Sequence, residues 1–178
     1  MYAKKTILSV TCLMMSAGLI STSHAATDVT GSLKAKLTIG AACTLTSGNG
    51  SVLDFGSVTD LSSDVNAETP AGSGIKVKCS DGIAYEIGLN LGLHGHELPP
   101  PYEMQRAMAL TPIVDILYYS LYRDAEHQEP WYDLDSKSTF NGTGDGTEQE
   151  IPIYGVIPKT DTPSSGNYSD TVKVTLRF

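Results

Sequence analysis

The sequence predicts an all-β protein that folds as a β-sandwich. Several short runs alternate apolar with polar residues, a period of two that places every second side chain on one face of a strand. Clusters of Gly, Asn, Asp and Ser separate these runs, as turns separate the strands of a sandwich. Few stretches carry the Ala, Leu, Glu and Lys pattern that is typical of helices.

Residues 1–25 have the features of a secretory signal peptide. Two adjacent lysines form a basic start, an apolar run covers residues 7–20, and Ser23 and Ala25 are small residues at the positions that a signal peptidase reads. The apolar run is too short and too interrupted for a membrane span, and no later segment is apolar enough. We therefore expect an exported protein without a transmembrane segment.

The size and charge of the exported chain indicate a single domain and exclude one class of partner. Cleavage after Ala25 would leave about 150 residues, a normal size for one domain with its own core. The whole chain has a formal net charge of −8, and losing the two signal lysines makes the exported protein more acidic. Binding to a nucleic-acid backbone needs a basic face, and the sequence has no basic cluster. Nucleic acid is therefore not an expected partner.

The first element after the signal peptide is an amphipathic strand over residues 29–39. Its even positions are polar or charged and include Lys34 and Lys36. Its odd positions, all apolar or Gly, are Val29, Gly31, Leu33, Ala35, Leu37 and Ile39. A new N-terminus normally frays unless something ties it down. This segment is therefore either the first strand of the domain's own sheet or a strand that enters the sheet of another molecule.

Two cysteines, Cys43 and Cys79, remain after Cys12 leaves with the signal peptide. An even pair in an oxidising compartment favours a single disulfide. In the chain-entropy model, closing such a loop stabilises the fold by roughly 3–4 kcal/mol. Two distant cysteines offer too few ligands for a metal site.

The later strands follow from the same two-residue period. The strand-like runs are residues 44–46, 52–55, 75–79, 85–91, 116–122, 150–157 and 168–178. Asp81-Gly82 lies between two of these runs and predicts a β-hairpin, because this dipeptide suits the tight turn of a hairpin. Residues 104–110 fit either a short strand or a helical turn.

Polar and proline-rich segments predict the connections between strands. Residues 60–74 are polar and read as a long loop. Residues 94–102 contain three consecutive prolines, which cannot lie in a central strand, and read as a surface loop. Asn141-Gly142 and Asp145-Gly146 predict further turns.

The sequence contains little that could carry enzymatic chemistry. His94 and His96 place two imidazoles on alternate residues, but no third ligand is positioned to complete a metal site, and an ordinary exposed loop is the alternative. The sequence has no Gly-x-Ser-x-Gly nucleophile motif and no phosphate-binding glycine loop. We expect no enzyme activity, no cofactor and no bound metal.

One aromatic group has two interpretations. Its members are Tyr118, Tyr119, Tyr122, Trp131 and Tyr132. They either line a sugar-binding platform or pack in the core and at the edge of the sandwich.

Ordered blocks across the exported chain resemble the spore coat protein U domain family. The blocks are Cys43-Thr44-Leu45, Leu53-Asp54-Phe55-Gly56, residues 75–82, Leu121-Tyr122-Arg123-Asp124, Pro130-Trp131, residues 153–158 and residues 166–176. In Gram-negative bacteria this domain forms the subunits of archaic, Csu-type chaperone–usher pili. The resemblance implies an incomplete immunoglobulin-like β-sandwich that is completed by a donor strand.

The resemblance also implies a division of the chain and a set of partners. Residues 1–25 would be the signal peptide, residues 26–40 a donor-strand extension and residues 41–178 the sandwich domain. A periplasmic pilus chaperone would first lend a strand to the sandwich. At the outer-membrane usher, the extension of a neighbouring pilus subunit would then replace that strand, which is a form of β-augmentation.

Individual residues take roles only through this resemblance. The odd positions of residues 29–39 match the family's donor face, and Cys43 and Cys79 match its disulfide. The strand that flanks the gap and pairs with the chaperone is matched by Val172, Val174, Leu176 and Phe178. The implied function is a structural pilus subunit on the surface of a Gram-negative bacterium, where it supports attachment and biofilm formation.

Two alternatives stay open. Residues 93–105 are longer and more apolar than a plain shaft subunit requires, which suggests a minor adaptor or adhesive pilus subunit. The other alternative is a self-complemented, secreted β-sandwich that serves as a binding or coat protein, with residues 29–39 folded into its own sheet.

Overall fold

The strands of this protein are short and account for all of its regular structure in the described residues. The computed structural model describes residues 28–47, 50–96, 105–112, 115–134 and 136–178, and these contain no helix. The strands are β1 (Cys43–Leu45), β2 (Val65–Glu68), β3 (Ile75–Cys79), β4 (Ala84–Leu89), β5 (Arg106–Leu110), β6 (Ile116–Tyr122), β7 (Phe140–Thr143), β8 (Glu148–Ile151), β9 (Tyr154–Ile157), β10 (Tyr168–Ser169) and β11 (Val174–Arg177). The predicted signal peptide and the three prolines lie outside the described residues, and no described helix is available to cross a membrane.

The strands pair antiparallel in three sheets. Their orders are β1-β3-β8, β10-β5-β6-β9-β2 and β11-β4-β7. The chain divides into two units, Met1–Thr38 and Ile39–Phe178, and every strand belongs to the second. The sheets form a sandwich-like fold, which confirms the predicted all-β class.

The core lies between the inner faces of these sheets. β3 and β4 contribute fully buried side chains such as Ile75, Val77 and Ile87, and β6 contributes Leu121. Trp131 is also fully buried, and its indole Nε1–H donates a hydrogen bond to the carbonyl of Ile87 at 2.8 Å. Burying large side chains of this kind stabilises the fold by roughly 1.5–3 kcal/mol each.

The predicted disulfide between Cys43 and Cys79 is confirmed. The two residues are direct partners in the register of β1 and β3. Among the described strands β1 pairs only with β3, so the disulfide fastens a three-residue edge strand to the core of its sheet.

The predicted hairpin at Asp81-Gly82 is wrong, although both of its strands form. β3 pairs with β1 and β8, so both of its edges are occupied, whereas β4 pairs with β11 and β7. The turn is present, because the N–H of Ile83 donates to the carbonyl of Ser80 at 3.2 Å and Gly82 has a φ of 76°. Gly82 and Ile83 then bond to the backbone of Gly144 at 2.9 and 2.8 Å. The connection therefore passes from one sheet to another.

Two predicted strands are each divided between two sheets. The run at residues 150–157 forms β8 and β9, and the break contains Pro152, which has no N–H for a ladder. Thr69 satisfies both backbone groups of Ile153 in this break. The N–H of Thr69 donates to the carbonyl of Ile153 at 3.0 Å, and its Oγ1 accepts from the N–H of Ile153 at 3.0 Å. The run at residues 168–178 similarly forms β10 and β11.

Three further local predictions were wrong, and one was confirmed. β2 lies inside the predicted loop at residues 60–74, and residues 52–55 are not assigned to a strand. Gly142 lies inside β7, where an added Cβ would be 2.3 Å from Cζ of Tyr85, so this glycine permits close packing rather than a turn. The turn at Asp145-Gly146 is confirmed by the φ of 81° at Gly146 and by the carboxylate of Asp145, which accepts from the N–H of Thr147 at 2.8 Å.

Candidate functional site

Two adjoining cavities lie between residues 50–61 and the C-terminal segment of the chain. The first, which we call the Ile157 cavity, has a volume of about 410 Å³ and also contacts Val65, Leu117 and residues 162–168. The second, the Ile153 cavity, has a volume of about 440 Å³, and Leu89 and Leu121 contribute to its floor. The residues that line both are Leu53, Phe55, Met108 and Tyr168. Because their linings overlap, we call the two cavities together the groove.

The first wall of the groove resembles a strand in its side chains but lies in none of the described sheets. Leu53 and Phe55 pack against the core, whereas Val52 and Val58 are exposed. This alternation has the two-residue period of a strand. No strand is assigned to residues 51–59, so their backbone groups form no ladder. Backbone that lies outside a sheet ladder, next to apolar surface, is suited to pairing with an added strand.

The second wall contains the two last strands, and each is at the edge of its sheet. β10 is the terminal strand beside β5, and β11 is the terminal strand beside β4. Val172 and Val174 line the Ile153 cavity. Leu176 packs against the core, and Phe178 is 61% exposed and borders a separate open cavity beside β4 and β7. The structure therefore brings two of the four predicted groove-edge residues to the groove.

A buried carboxylate holds the segment where the chain changes from β10 to β11. The hydroxyl of Tyr119 donates to Oδ2 of Asp170 at 2.7 Å, and the N–H of Leu93 donates to its Oδ1 at 2.8 Å. Next to it, Oδ1 of Asn90 accepts from the N–H of Lys173 at 2.7 Å. Burial, followed by the bond to Asp170, raises the pKa of Tyr119 well above its usual range, so this hydroxyl stays a donor.

The two histidines of the predicted loop point to different partners. Nδ1 of His94 lies 3.3 Å from Oδ1 of Asp170, whereas the ring of His96 packs edge-on against Tyr118 with centroids 5.8 Å apart. Within the described residues, no group of three potential ligands is positioned to hold a metal ion. The two imidazoles therefore do not share one site.

Beneath the groove lies a buried cation that sequence reasoning did not identify. Arg106 on β5 is 1% exposed, and its guanidinium donates to the carbonyls of Leu89, Asn90 and Trp131 at 2.6 to 2.8 Å. It also lies 5.2 Å from the ring centroid of Tyr132, a cation–π distance. Burial lowers the pKa of Arg106. The signal available in the sequence was the position of Arg106 two residues before Met108. This spacing puts both side chains on the same face of a short apolar strand.

The aromatic group predicted as a possible sugar platform does not share one surface. Tyr119 and Trp131 are buried in the core, while Tyr118 projects to the other side of β6 and is 37% exposed. The core-packing interpretation is therefore correct for Tyr119 and Trp131.

The N-terminal segment has its apolar side chains in solvent. Residues 28–42 have no assigned strand. The four large residues of the predicted donor face, Val29, Leu33, Leu37 and Ile39, are 85 to 95% exposed. Gly31 and Ala35 lie between them and are also exposed, as are Lys34 and Lys36. Exposing four large apolar residues on one face of the segment costs free energy in water, and contact with a partner would remove that cost.

Comparison with known proteins finds a matching family, a similar protein and similar solved structures. The model of the Spore Coat Protein U domain matches residues 29–175. "Protein U" of Myxococcus xanthus is 29% identical over 184 residues, covering 100% of both chains. A solved structure of the CsuC-CsuE chaperone-tip adhesion subunit pre-assembly complex, from archaic chaperone-usher Csu pili of Acinetobacter baumannii, matches 79% of this chain with 22% identity and a TM-score of 0.49. This chain spans 40% of the matched chain in that complex.

Proposed function

Because this chain belongs to the Spore Coat Protein U domain family, we propose that it is a structural subunit of a pilus assembled by the chaperone–usher pathway. The family is structural rather than enzymatic. In this proposal residues 1–25 direct export, residues 26–40 are the donor-strand extension and residues 41–178 form the sandwich domain. The subunit passes through the periplasm to the surface of a Gram-negative bacterium, where the fibre supports attachment and biofilm formation.

Subunits join when residues 29–39 of one copy enter the groove of a neighbour. The observation that supports this step is the groove itself, with an apolar floor, one wall without sheet pairing and a second wall formed by two edge strands. The exposed apolar face at Val29, Leu33, Leu37 and Ile39 has the alternation that such a groove requires. Full burial would stabilise the junction by roughly 1.5–3 kcal/mol for each of these four residues.

Before assembly, a periplasmic chaperone protects the same groove and passes the subunit to an outer-membrane usher. An unpaired strand edge beside an apolar cavity promotes aggregation, so a free subunit needs such protection. The edge strand β11, with Val174 facing the groove, is the surface that we assign to the chaperone. Its outward residues are polar or charged, such as Thr175 and Arg177.

The test is co-expression in a periplasm with and without the cognate chaperone, followed by native mass measurement. We expect a one-to-one complex with the chaperone and, after its loss, SDS-stable ladders of subunits. Replacing two donor-face residues, Leu33→Asp with Leu37→Asp, should abolish the ladders while the chaperone complex persists. The matched control, Lys34→Asp with Lys36→Asp, adds the same two acids to the opposite face and should preserve polymerisation.

Two results would contradict the proposal. The first is that the Leu33→Asp, Leu37→Asp variant forms ladders as well as the unmodified chain does. The second is a stable free monomer whose residues 29–39 are protected from hydrogen exchange. That second result would favour the self-complemented sandwich, because the segment would then be paired within its own subunit.

A further inference from the structure

A partition lies where the two cavities of the groove meet. Leu53 and Phe55 project from the first wall and line both cavities. They reach down to Gly155 on β9, where an added Cβ would lie 2.6 Å from Cδ2 of Leu53 and 2.7 Å from Cζ of Phe55. The ring of Phe55 also meets the ring of Tyr119 edge-on, with centroids 6.2 Å apart. Packing on the backbone of β9 and on Tyr119 therefore holds the partition in place.

A strand that fills the groove must cross this partition. Residues 29–39 would span about 33–36 Å when extended, at about 3.3 Å per residue. The two cavities have similar volumes, about 410 and about 440 Å³. Two of the four large donor-face residues lie on each side of Ala35, so a strand centred on Ala35 offers two large side chains to each cavity, whichever way the strand runs.

The apolar face of the segment has one small residue near its middle. Large residues lie on both sides of it, with Leu33 before and Leu37 after. The other small residue, Gly31, is near the N-terminal end. Leu33 and Leu37 are about 13 Å apart in a strand, a spacing that places them on opposite sides of Ala35.

We infer that Ala35 of one subunit lies over the Leu53–Phe55 partition of a second copy of this chain, with Leu33 and Leu37 entering the two cavities beside it. The inference rests on the proposed function and assigns the register of the junction. A larger side chain at position 35 would meet Phe55 and its neighbours, whereas the same side chain at position 31 would face cavity space. The partition thus makes position 35 the residue that selects a correctly aligned strand.

The test uses peptides of residues 28–40 and the chaperone complex of a full exported chain whose own segment is blocked by Leu33→Asp and Leu37→Asp, and binding is measured as displacement of the chaperone. The unmodified peptide should bind. The Ala35→Leu peptide should bind about tenfold more weakly, the effect of forcing extra methylenes into a filled space. The matched Gly31→Leu peptide carries the same side chain and should lose less than about threefold on the same principle.

The outcomes separate the inference from the proposed function. The register is overturned if the unmodified peptide binds and the Gly31→Leu peptide loses at least as much affinity as the Ala35→Leu peptide. Donor-strand joining would stand in that case. No binding of the unmodified peptide overturns both. These comparisons use the unaltered groove, so they do not depend on whether a groove variant folds.

A second measurement tests the contact directly. With Phe55→Ala in the acceptor chain, the Ala35→Leu peptide should recover most of its lost affinity, because the space above the partition is then open. The control acceptor is Leu45→Ala, a change at a β1 residue that is 40% exposed and lines neither cavity. If the Ala35→Leu peptide loses as much affinity for the Phe55→Ala acceptor as for the unaltered acceptor, the assigned contact is overturned.

Discussion

The hydroxyl of Tyr119 donates a hydrogen bond of 2.7 Å to the buried carboxylate of Asp170. This bond joins the floor of the groove, on β6, to the point where the C-terminal segment leaves one sheet for another. Asp170 also accepts from the N–H of Leu93, so one carboxylate orders both the loop after β4 and the second wall of the groove. The shape of the groove thus depends on a polar contact beside its apolar floor.

Removing that hydroxyl should lower stability. Tyr119→Phe keeps the ring but leaves Oδ2 of Asp170 without its donor, and an unsatisfied buried acceptor costs about 1–3 kcal/mol. Urea unfolding followed by intrinsic fluorescence measures the change. Tyr118→Phe, on the exposed side of the same strand, is the control and should change stability by less than about 0.5 kcal/mol. Equal effects of the two substitutions would contradict the role assigned to the bond.

Arg106 should not be replaceable by lysine. Its planar guanidinium reaches three carbonyls at once, and an ammonium group cannot reproduce that geometry in a buried site. Arg106→Lys is expected to cost at least about 2 kcal/mol, since bonds from charged donors to buried acceptors are lost. The measurement is the midpoint of thermal or urea unfolding. The control, Arg177→Lys on the exposed edge strand, should have a much smaller effect, and a similar loss for both would refute the prediction.

Acid should weaken the attachment of the second wall through Asp115. The backbone N–H of Ser164 donates to its Oδ2 at 2.9 Å and lowers the pKa of the Asp115 carboxyl below its ordinary value of 3.8. A lowered folded-state pKa adds stability that is present above the unfolded-state value and is lost as the pH falls through the folded-state value. Stability should therefore fall more steeply below pH 3.8 in the unmodified chain than in Asp115→Asn.

The measurement for Asp115 is the urea midpoint between pH 7 and pH 2. Asp81→Asn, in an exposed turn, serves as the matched control because it removes one carboxylate without touching the groove wall. Parallel pH curves for Asp115→Asn and the unmodified chain would show that this carboxylate does not contribute to the pH dependence.

Loss of the disulfide should destabilise the domain by about 3–4 kcal/mol in the chain-entropy model. The bridge holds β1, a three-residue strand whose only described sheet partner is β3. Cys43→Ser with Cys79→Ser should lower the unfolding midpoint, and reduction of the unmodified chain with dithiothreitol should have the same effect. A reduced chain as stable as the oxidised one would contradict this expectation.

Sequence reasoning located strands well where the deciding pattern was local. The two-residue alternation identified β3, β4 and β6 within a few residues, because burial of one face acts on each strand individually. It did not identify which strands pair. Asp81-Gly82 forms a turn but not a hairpin, because both edges of β3 are occupied by strands distant in sequence.

The residues of the groove likewise divide into those that a local pattern reveals and those that it does not. The apolar face at Val29, Leu33, Leu37 and Ile39 could be recognised from its alternation, whereas Asp170, Arg106 and the partition at Phe55 could not be recognised as parts of one site. Each of these three depends on neighbours far along the chain, such as Tyr119, Trp131 and Gly155. No local pattern encodes such contacts.

The sequence by itself therefore determined the all-β class, the pairing of Cys43 with Cys79 and the amphipathic N-terminal segment. Composition, cysteine number and side-chain period are properties of the chain before it folds. Only the tertiary structure decided that residues 52–55 remain outside the described sheets and that residues 168–178 divide between two sheets. The reason is that strand pairing is a competition among distant segments for the same backbone donors and acceptors, and this competition is settled only when the core is packed.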